Sequence, residues 1–176
     1  MASFSRLPRR LYLDTQFMFA YLVPTDEDHA AAETVARAIR ELWDAGLVRA
    51  YVSVLVLDEL TWSLAGVLND GDCGPGSWRR SPHTEKSHEF SARRASIAGY
   101  VRSLLSEPWL SIAPLGKAEA LLLPDLLTRY DLRPRDTCHL ACAIHNNIGA
   151  ILTNDSDFHR LSDLPVGILS YSEETD

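Results

Sequence analysis

The sequence predicts an α/β protein whose mostly parallel central sheet is covered by helices on both faces. Short apolar runs of strand length alternate with longer segments of helical spacing, which is typical of parallel sheets. The 176 residues, 46% hydrophobic and 23% charged, suit one compact domain with a full core. Acidic residues follow several apolar runs, so polar groups fall where such sheets collect their ligands.

The N-terminal part of the chain predicts one strand and two helices. Residues 11–13 are a short apolar run that reads as the first strand, and the apolar segment 15–22 reads as a short buried helix. Pro24 ends that helix. A longer helix follows over 25–45, with its apolar residues on one face and Gly46 as its stop.

The middle of the chain predicts a second strand, a helix and a long loop. Residues 50–53 are the strand, and 54–65 change to helical spacing. Asp58 and Glu59 lie near the first turns of this helix, where the helix dipole favours acids. The segment 69–89 loses all periodicity and is rich in Gly, Pro, Ser and charge, so a flexible insertion is expected there.

The last part of the chain predicts three more strands. A helix over 90–106 precedes a strand at 109–112, and the helical segment 115–130 is interrupted by Pro124. The remaining strands are expected at 150–153 and 166–169.

A helix that starts with an acid precedes a strand that ends in acids. Pro134 stops the preceding segment, and Asp136 then stands where an amphipathic helix can begin. The next strand ends on Asp155 and Asp157. Because ligands bind beyond the carboxyl ends of parallel strands, this arrangement points to a metal site.

Four motifs in order resemble those of the PIN-domain nucleases, especially the VapC-like toxin ribonucleases. The motifs are LYLDT, then DEL on a helix, then PRDTCHLACA, then GAILTNDSDF, and the resemblance spans residues 11–169. It implies a single three-layer α/β/α PIN-like domain over residues 1–176. It also implies a ribonuclease that depends on Mg²⁺ or Mn²⁺ and is the toxin of a type II toxin–antitoxin pair, with RNA as substrate, a cognate antitoxin as partner and a homodimeric state.

The resemblance also implies the residues of the acidic site. Catalysis and metal binding are expected at Asp14, Glu59, Asp136 and Asp155, with Asp157 as an additional metal ligand. Thr15 and Thr153 are candidates to orient carboxylates or water through their hydroxyl groups. Carboxylates converging from separate elements suit Mg²⁺, which prefers hard oxygen ligands and keeps several waters.

Net charge and cysteine content indicate the mode of nucleic-acid binding and the cellular compartment to expect. The net charge of −7 argues against a protein that coats nucleic acid without specificity. No signal peptide and no membrane-spanning segment are expected, and three cysteines make a disulfide framework improbable, so we expect a cytoplasmic protein.

One segment carries a net positive charge, unlike the chain as a whole. Residues 77–102 contain six basic and two acidic side chains, which gives a local charge of +4. We expect this segment to form an RNA-contacting rim through Arg79, Arg80, Lys86, Arg93 and Arg94, with Trp78, His83 or His88 stacking on an unpaired base. A solvated loop and a protein-binding surface are the alternatives.

Other functions were weighed against the nuclease. Each acid alone is explained by a helix cap or a turn, although Asp14 has no turn chemistry behind it. A zinc site at Cys138 and Cys142, with His139, His145 and His159 nearby, lacks a close Cys-x-x-Cys pair. An aspartyl phosphatase needs a second Asp where this chain has Gln16. A catalytically silent PIN-like module that binds RNA or protein remains the alternative outside enzymes.

Overall fold

The computed structural model describes residues 7–172 and contains a five-stranded sheet whose pairs are all parallel. The strands are β1 (Arg10–Leu13), β2 (Arg49–Ser53), β3 (Leu110–Ala113), β4 (Ala150–Leu152) and β5 (Gly167–Leu169). The helices are α1 (Thr15–Leu22), α2 (His29–Asp44), α3 (Val54–Cys73), α4 (Ser77–Arg80), α5 (His83–Leu105), α6 (Lys117–Ala120), α7 (Leu123–Arg129), α8 (Pro134–His145) and α9 (Ser156–His159). The predicted parallel α/β/α architecture is confirmed.

The strand order β3-β2-β1-β4-β5 places the first strand at the centre of the sheet. The chain moves outward from β1 through β2 to β3, and then returns to the other side of β1 as β4. The order therefore reverses between β1 and β4, where Leu13 pairs with Leu152. A crevice at the carboxyl ends of the strands is expected at such a reversal, so it is the natural place for a ligand.

Burial follows the strand order. The β1 residues Leu11, Tyr12 and Leu13 are fully buried, as expected for a central parallel strand covered on both faces. Ile112 on β3 remains 44% exposed because β3 is an edge strand. The central strand therefore anchors the core, and its C-terminal end is held rigidly in the molecule.

The segment 69–89 is largely helical, so the sequence-based expectation of a long loop is wrong. Helix α3 continues to Cys73, α4 follows after three residues, and α5 begins at His83. The Asp70 carboxylate holds the connection, because it accepts hydrogen bonds from the backbone N–H groups of Gly76 (3.0 Å) and Trp78 (2.7 Å) and from the Ser77 hydroxyl (2.9 Å). The mobility of this segment in solution stays a prediction.

Smaller differences concern the ends of elements. Helix α8 begins at Pro134 rather than at Asp136, and α9 has no counterpart in the sequence-based assignment. Pro124 does divide the 115–130 segment into two short helices, as expected. Within residues 7–172, no helix combines the length and the apolar character needed to cross a membrane.

Candidate active site

Four carboxylates predicted from the sequence line one cavity at the carboxyl edge of the sheet. Asp14 follows β1, Glu59 lies on α3, Asp136 lies on α8 and Asp155 follows β4. The cavity has a volume of about 670 Å³. The other side chains that line it are Thr15, Gln16, Trp62, Ser63, Arg133, Pro134, Arg135 and His139. Residues far apart in sequence therefore meet in one open pocket.

Asp14 is held at the switch point of the sheet. It caps α1 by accepting the backbone N–H of Thr15 (2.7 Å), and its second oxygen accepts the hydroxyl of Thr153 (2.7 Å). Only 6% of the residue is exposed, and this burial raises the pKa of Asp14 despite the nearby His139. Because Asp14 is a helix cap, local structure does explain part of its presence, contrary to the expectation from the sequence.

Glu59 lies between a hydroxyl group and an imidazole. Its Oε2 accepts hydrogen bonds from the Thr15 hydroxyl (2.6 Å) and from Nε2 of His139 (3.1 Å), while Oε1 is 3.4 Å from the Arg135 guanidinium. Burial alone would raise the pKa of Glu59, but these contacts outweigh it and lower the pKa below its ordinary value. Glu59 is thereby kept ionised.

His139 is the main residue of the site that the sequence did not identify as a neighbour of the acids. Its Nε2 lies 3.9 Å from Asp14 as well as 3.1 Å from Glu59, and its Nδ1 shares a hydrogen bond with the Tyr12 hydroxyl (2.8 Å). Burial alone would lower the pKa of His139, but Glu59 and Asp14 raise it overall. The imidazole therefore offsets carboxylate charge. Its spacing of three from Asp136 on one helix is a signal that could have identified it.

Asp136 is the carboxylate with the least structural explanation. It is the third residue of α8 and does not cap the helix, because Arg133 holds the cap position. Its Oδ2 is buried and has no hydrogen-bond partner. Burial, followed by the charge of Asp155, raises the pKa of Asp136. A buried carboxylate oxygen without a partner is costly, so this atom is poised to accept a proton or a cation.

Asp155 and Asp157 have different surroundings. Asp155 lines the cavity and also caps α9, because its side chain accepts the backbone N–H of Asp157 (2.8 Å). The Asp157 carboxylate is not among the groups that line the cavity and instead pairs with Arg133 (3.3 Å) and Arg160 (3.5 Å). Asp157 is therefore a charged neighbour of the cavity, and its role as a metal ligand stays a prediction.

The carboxylate oxygens that line the cavity are ligands of the type that a hard divalent cation binds. The partnerless Oδ2 of Asp136 supplies an unused acceptor. Among residues 7–172, no three His, Cys, Asp or Glu side chains lie close enough together to enclose one ion. Mg²⁺ needs no such cage, because it commonly binds through one or two carboxylates and retains several waters. The site thus fits a cation that is held by few protein ligands.

The basic rim expected over residues 77–102 is only partly available to a ligand. Arg79 and Arg94 are exposed. Arg93 has only 10% of its side chain exposed, because it pairs with Asp72 (3.0 Å) and Glu89 (2.7 Å), so its predicted role in RNA contact is replaced by a structural one. Arg80 is exposed but donates to the carbonyl of Pro75. Lys86 is half-buried and lies over the Trp78 ring.

Comparison with known proteins identifies relatives at the level of fold and family. Three solved structures share the fold. VapBC2 from Rickettsia felis, bound to a DNA fragment from their promoter, is 15% identical with a TM-score of 0.57, and the match covers 92% of this chain and 98% of that one. The sarcin–ricin loop cleaving toxin VapC20 from Mycobacterium tuberculosis is 18% identical with a TM-score of 0.53 (85% and 92% covered), and FitAcB from Neisseria gonorrhoeae is 14% identical with a TM-score of 0.51 (92% and 97% covered). No protein of curated function is significantly similar in sequence.

The family model of the PIN domain matches residues 11–164, which include the four carboxylates and every residue that lines the acidic cavity. Nucleases of this family are hydrolases that act on nucleic acids and generally use divalent metal ions. The resemblance of the four motifs to this family is confirmed: the chain belongs to the PIN domain family.

Proposed function

We propose that this protein is a divalent-metal-dependent endoribonuclease and the toxin of a type II toxin–antitoxin pair. One observation carries the proposal: carboxylates from four separate elements line one open cavity at the switch point of the sheet, and one of them, Asp136, has a buried oxygen without a partner. A structural acid would be satisfied by a cap, a turn or an ion pair. A carboxyl group such as Asp136, whose pKa is raised by burial and by the charge of a neighbouring carboxylate, is instead a recognised sign of a functional site.

In this proposal Mg²⁺ or Mn²⁺ binds in the cavity that Asp14, Glu59, Asp136 and Asp155 line, through one or two of these carboxylates and several retained waters. The bound cation would offset the negative charge that develops on a phosphodiester during hydrolysis. Thr153 and Thr15 fix the orientations of Asp14 and Glu59 through their hydroxyl groups. Arg133 and Arg135, which line the cavity and are exposed, add positive charge near an incoming phosphate. The protein thus contributes orientation and electrostatics.

The RNA substrate and the antitoxin are the finer parts of the proposal. The similarity to VapC20, a sarcin–ricin loop cleaving toxin, supports RNA as the substrate class. The similarity to VapBC2 supports a cognate antitoxin as partner. A homodimer and a cytoplasmic location are further parts of the proposal that rest on the family resemblance and on the sequence.

A second candidate is a catalytically silent PIN-like module that binds RNA or protein. The position of His139 favours it, because this imidazole lies between Asp14 and Glu59 and offsets their charge without any metal. The two candidates differ in whether the acidic cavity needs a divalent cation to act.

The test is cleavage of single-stranded RNA by the purified protein with EDTA, Mg²⁺ or Mn²⁺. We expect cleavage only with a divalent cation, and Asp136→Asn should reduce its rate by at least about 100-fold, the typical loss on removing one electrostatic contact to a transition state. Asp125→Asn is the matched control, because Asp125 is also the third residue of its helix but does not line the cavity.

The outcomes separate the candidates. Cleavage that requires metal and is lost only in Asp136→Asn supports the nuclease. RNA binding without cleavage under any metal condition supports the silent module. Equal cleavage by the wild type and by Asp136→Asn would reject the assignment of the site.

A further inference from the structure

A second cavity of about 700 Å³ adjoins the acidic cavity. It lies between α3 and α5, and its lining residues are Asp58, Thr61, Trp62, His83, Lys86, Ser87, Phe90, Ser91 and Arg135. Trp62 and Arg135 also line the acidic cavity. A linear polymer bound in the acidic cavity can therefore extend along the protein surface into the second cavity.

The indole of Trp62 is held by two other aromatic rings. The Phe90 ring is stacked with it at 6.1 Å and 26°, and the Trp78 ring meets it edge-on at 5.0 Å. Trp78 can pack this closely because Gly66 leaves space for it: a Cβ at residue 66 would lie 2.9 Å from the Trp78 ring. Trp62 nevertheless keeps 40% of its surface exposed. A fixed and partly exposed aromatic ring is a stacking platform that loses little entropy on binding.

The charges around this platform are arranged for a phosphate chain. Lys86 lies above the Trp78 ring, with Nζ 5.4 Å from the ring centroid, and Arg135 stands at the boundary of the two cavities with 62% of its side chain exposed. Asp58 is the one acid among the residues lining this cavity, and it is 3.9 Å from Arg135. The balance is therefore basic, beside an acidic cavity that would hold a cation.

We propose that the second cavity binds an unpaired base of the RNA, adjacent to the phosphodiester in the acidic cavity, by stacking on Trp62, with Lys86 and Arg135 contacting the flanking phosphates. This inference rests on the proposed function and names its substrate as single-stranded at that position. It also corrects the expectation that Trp78 stacks on a base, because Trp78 is packed against Trp62 and covered by Lys86.

The test measures binding of 12-nucleotide single-stranded RNAs that carry 2-aminopurine at each position in turn. Binding is measured with Mg²⁺ in an Asp136→Asn background, where cleavage is suppressed. Trp62→Leu removes the aromatic face, Trp62→Phe retains one, and Tyr100→Leu is the control, because Tyr100 is similarly exposed (39%) and lines neither cavity. Circular dichroism verifies that each variant is folded.

We expect Trp62→Leu to weaken binding by roughly 5- to 150-fold, the loss of one base–aromatic stack. Trp62→Phe should recover most of the affinity, and Tyr100→Leu should change little. The emission of 2-aminopurine at one position should be quenched by the protein and not by Trp62→Leu. Lys86→Ala should make the slope of log affinity against log salt shallower by about 0.7, whereas Lys117→Ala on α6 should not.

Affinity and quenching in Trp62→Leu that match the Tyr100→Leu control would overturn the proposal. The result is separable from the proposed function, because cleavage is measured with Asp136 intact. Metal-dependent cleavage that is indifferent to Trp62→Leu rejects the base site alone. Trp62-dependent RNA binding in a protein that never cleaves RNA rejects the nuclease alone.

Discussion

The acidic edge of the sheet and the α3–α5 helical pair lie side by side but are built in opposite ways. At the acidic edge, buried polar groups from separate elements satisfy one another, as in the hydrogen bonds from Thr153 to Asp14 and from His139 to Glu59. In the helical pair, Trp62, Trp78 and Phe90 pack on one another, and basic side chains lie around them.

The difference separates a site for a reaction from a site for a substrate. Polar groups that are buried together in the first region are costly unless a proton, an imidazole or a cation compensates for them. The second region gains stability from burying its rings and leaves one ring exposed. The first region should therefore respond to loss of charge compensation, and the second to changes of shape.

The largest effect is expected from His139→Leu at the acidic edge. With the imidazole removed, the buried Asp14 loses its cationic partner and the partly buried Glu59 keeps only Arg135, and breaking a buried pair typically costs about 3–5 kcal/mol. Urea denaturation of the metal-free protein measures the loss. His145→Leu on the same helix is the control, because the His145 side chain is 46% exposed and should cost less than about 1 kcal/mol. Equal losses in the two variants would mean that the acidic edge does not depend on His139.

A change of shape tests the helical pair. In Gly66→Ala the new methyl group would meet the Trp78 ring at 2.9 Å, so the free energy of unfolding should fall by about 1–3 kcal/mol. Gly71→Ala on the same helix meets nothing within 4 Å and should raise it by about 0.5–1 kcal/mol. Thermal denaturation should give shifts of opposite sign, and shifts of the same sign would show that Trp78 does not pack on Gly66.

The smallest effect is expected from Asp70, a residue of α3 whose carboxylate binds the connection to α4 and the first turn of α4. The hydrogen bonds that its carboxylate accepts lower the pKa of Asp70, and the bond from the backbone N–H of Trp78 contributes most. A lowered pKa stabilises the folded state above the unfolded-state pKa of about 3.9, and this stabilisation is lost as the pH falls through the folded-state pKa. Asp70→Asn should therefore cost about 1 kcal/mol at pH 7. Urea titrations from pH 7 to pH 3 should show the difference shrinking below about pH 4. A difference independent of pH would contradict the hydrogen-bonding role of the carboxylate.

The same contrast explains how much of the molecule could be predicted from its sequence. The sheet was predictable because parallel strands of buried residues leave a clear apolar pattern, and the acids that follow its strands were predictable because the carboxyl ends of parallel strands meet at one edge. Glu59, on a helix, was identified by its match to a motif of the PIN-domain nucleases. The helical nature of 69–89 was not predictable, because its order depends on contacts such as Asp70 with Gly76 and Arg93 with Asp72 that no local periodicity shows. The contacts of His139 with Glu59 and Asp14 were not predictable, since its spacing of three from Asp136 places it near that acid but shows nothing of carboxylates on other elements.

The binding of Mn²⁺ tests the central claim, that the cavity lined by the four carboxylates is a cation site. Calorimetric titration of Mn²⁺ into the metal-free wild type should show one bound ion. Asp125→Asn should bind it equally well, and Asp136→Asn should bind it at least about 10-fold more weakly, because few protein ligands hold the ion. Wild-type affinity in Asp136→Asn, or no binding by the wild type at millimolar Mn²⁺, would contradict the claim.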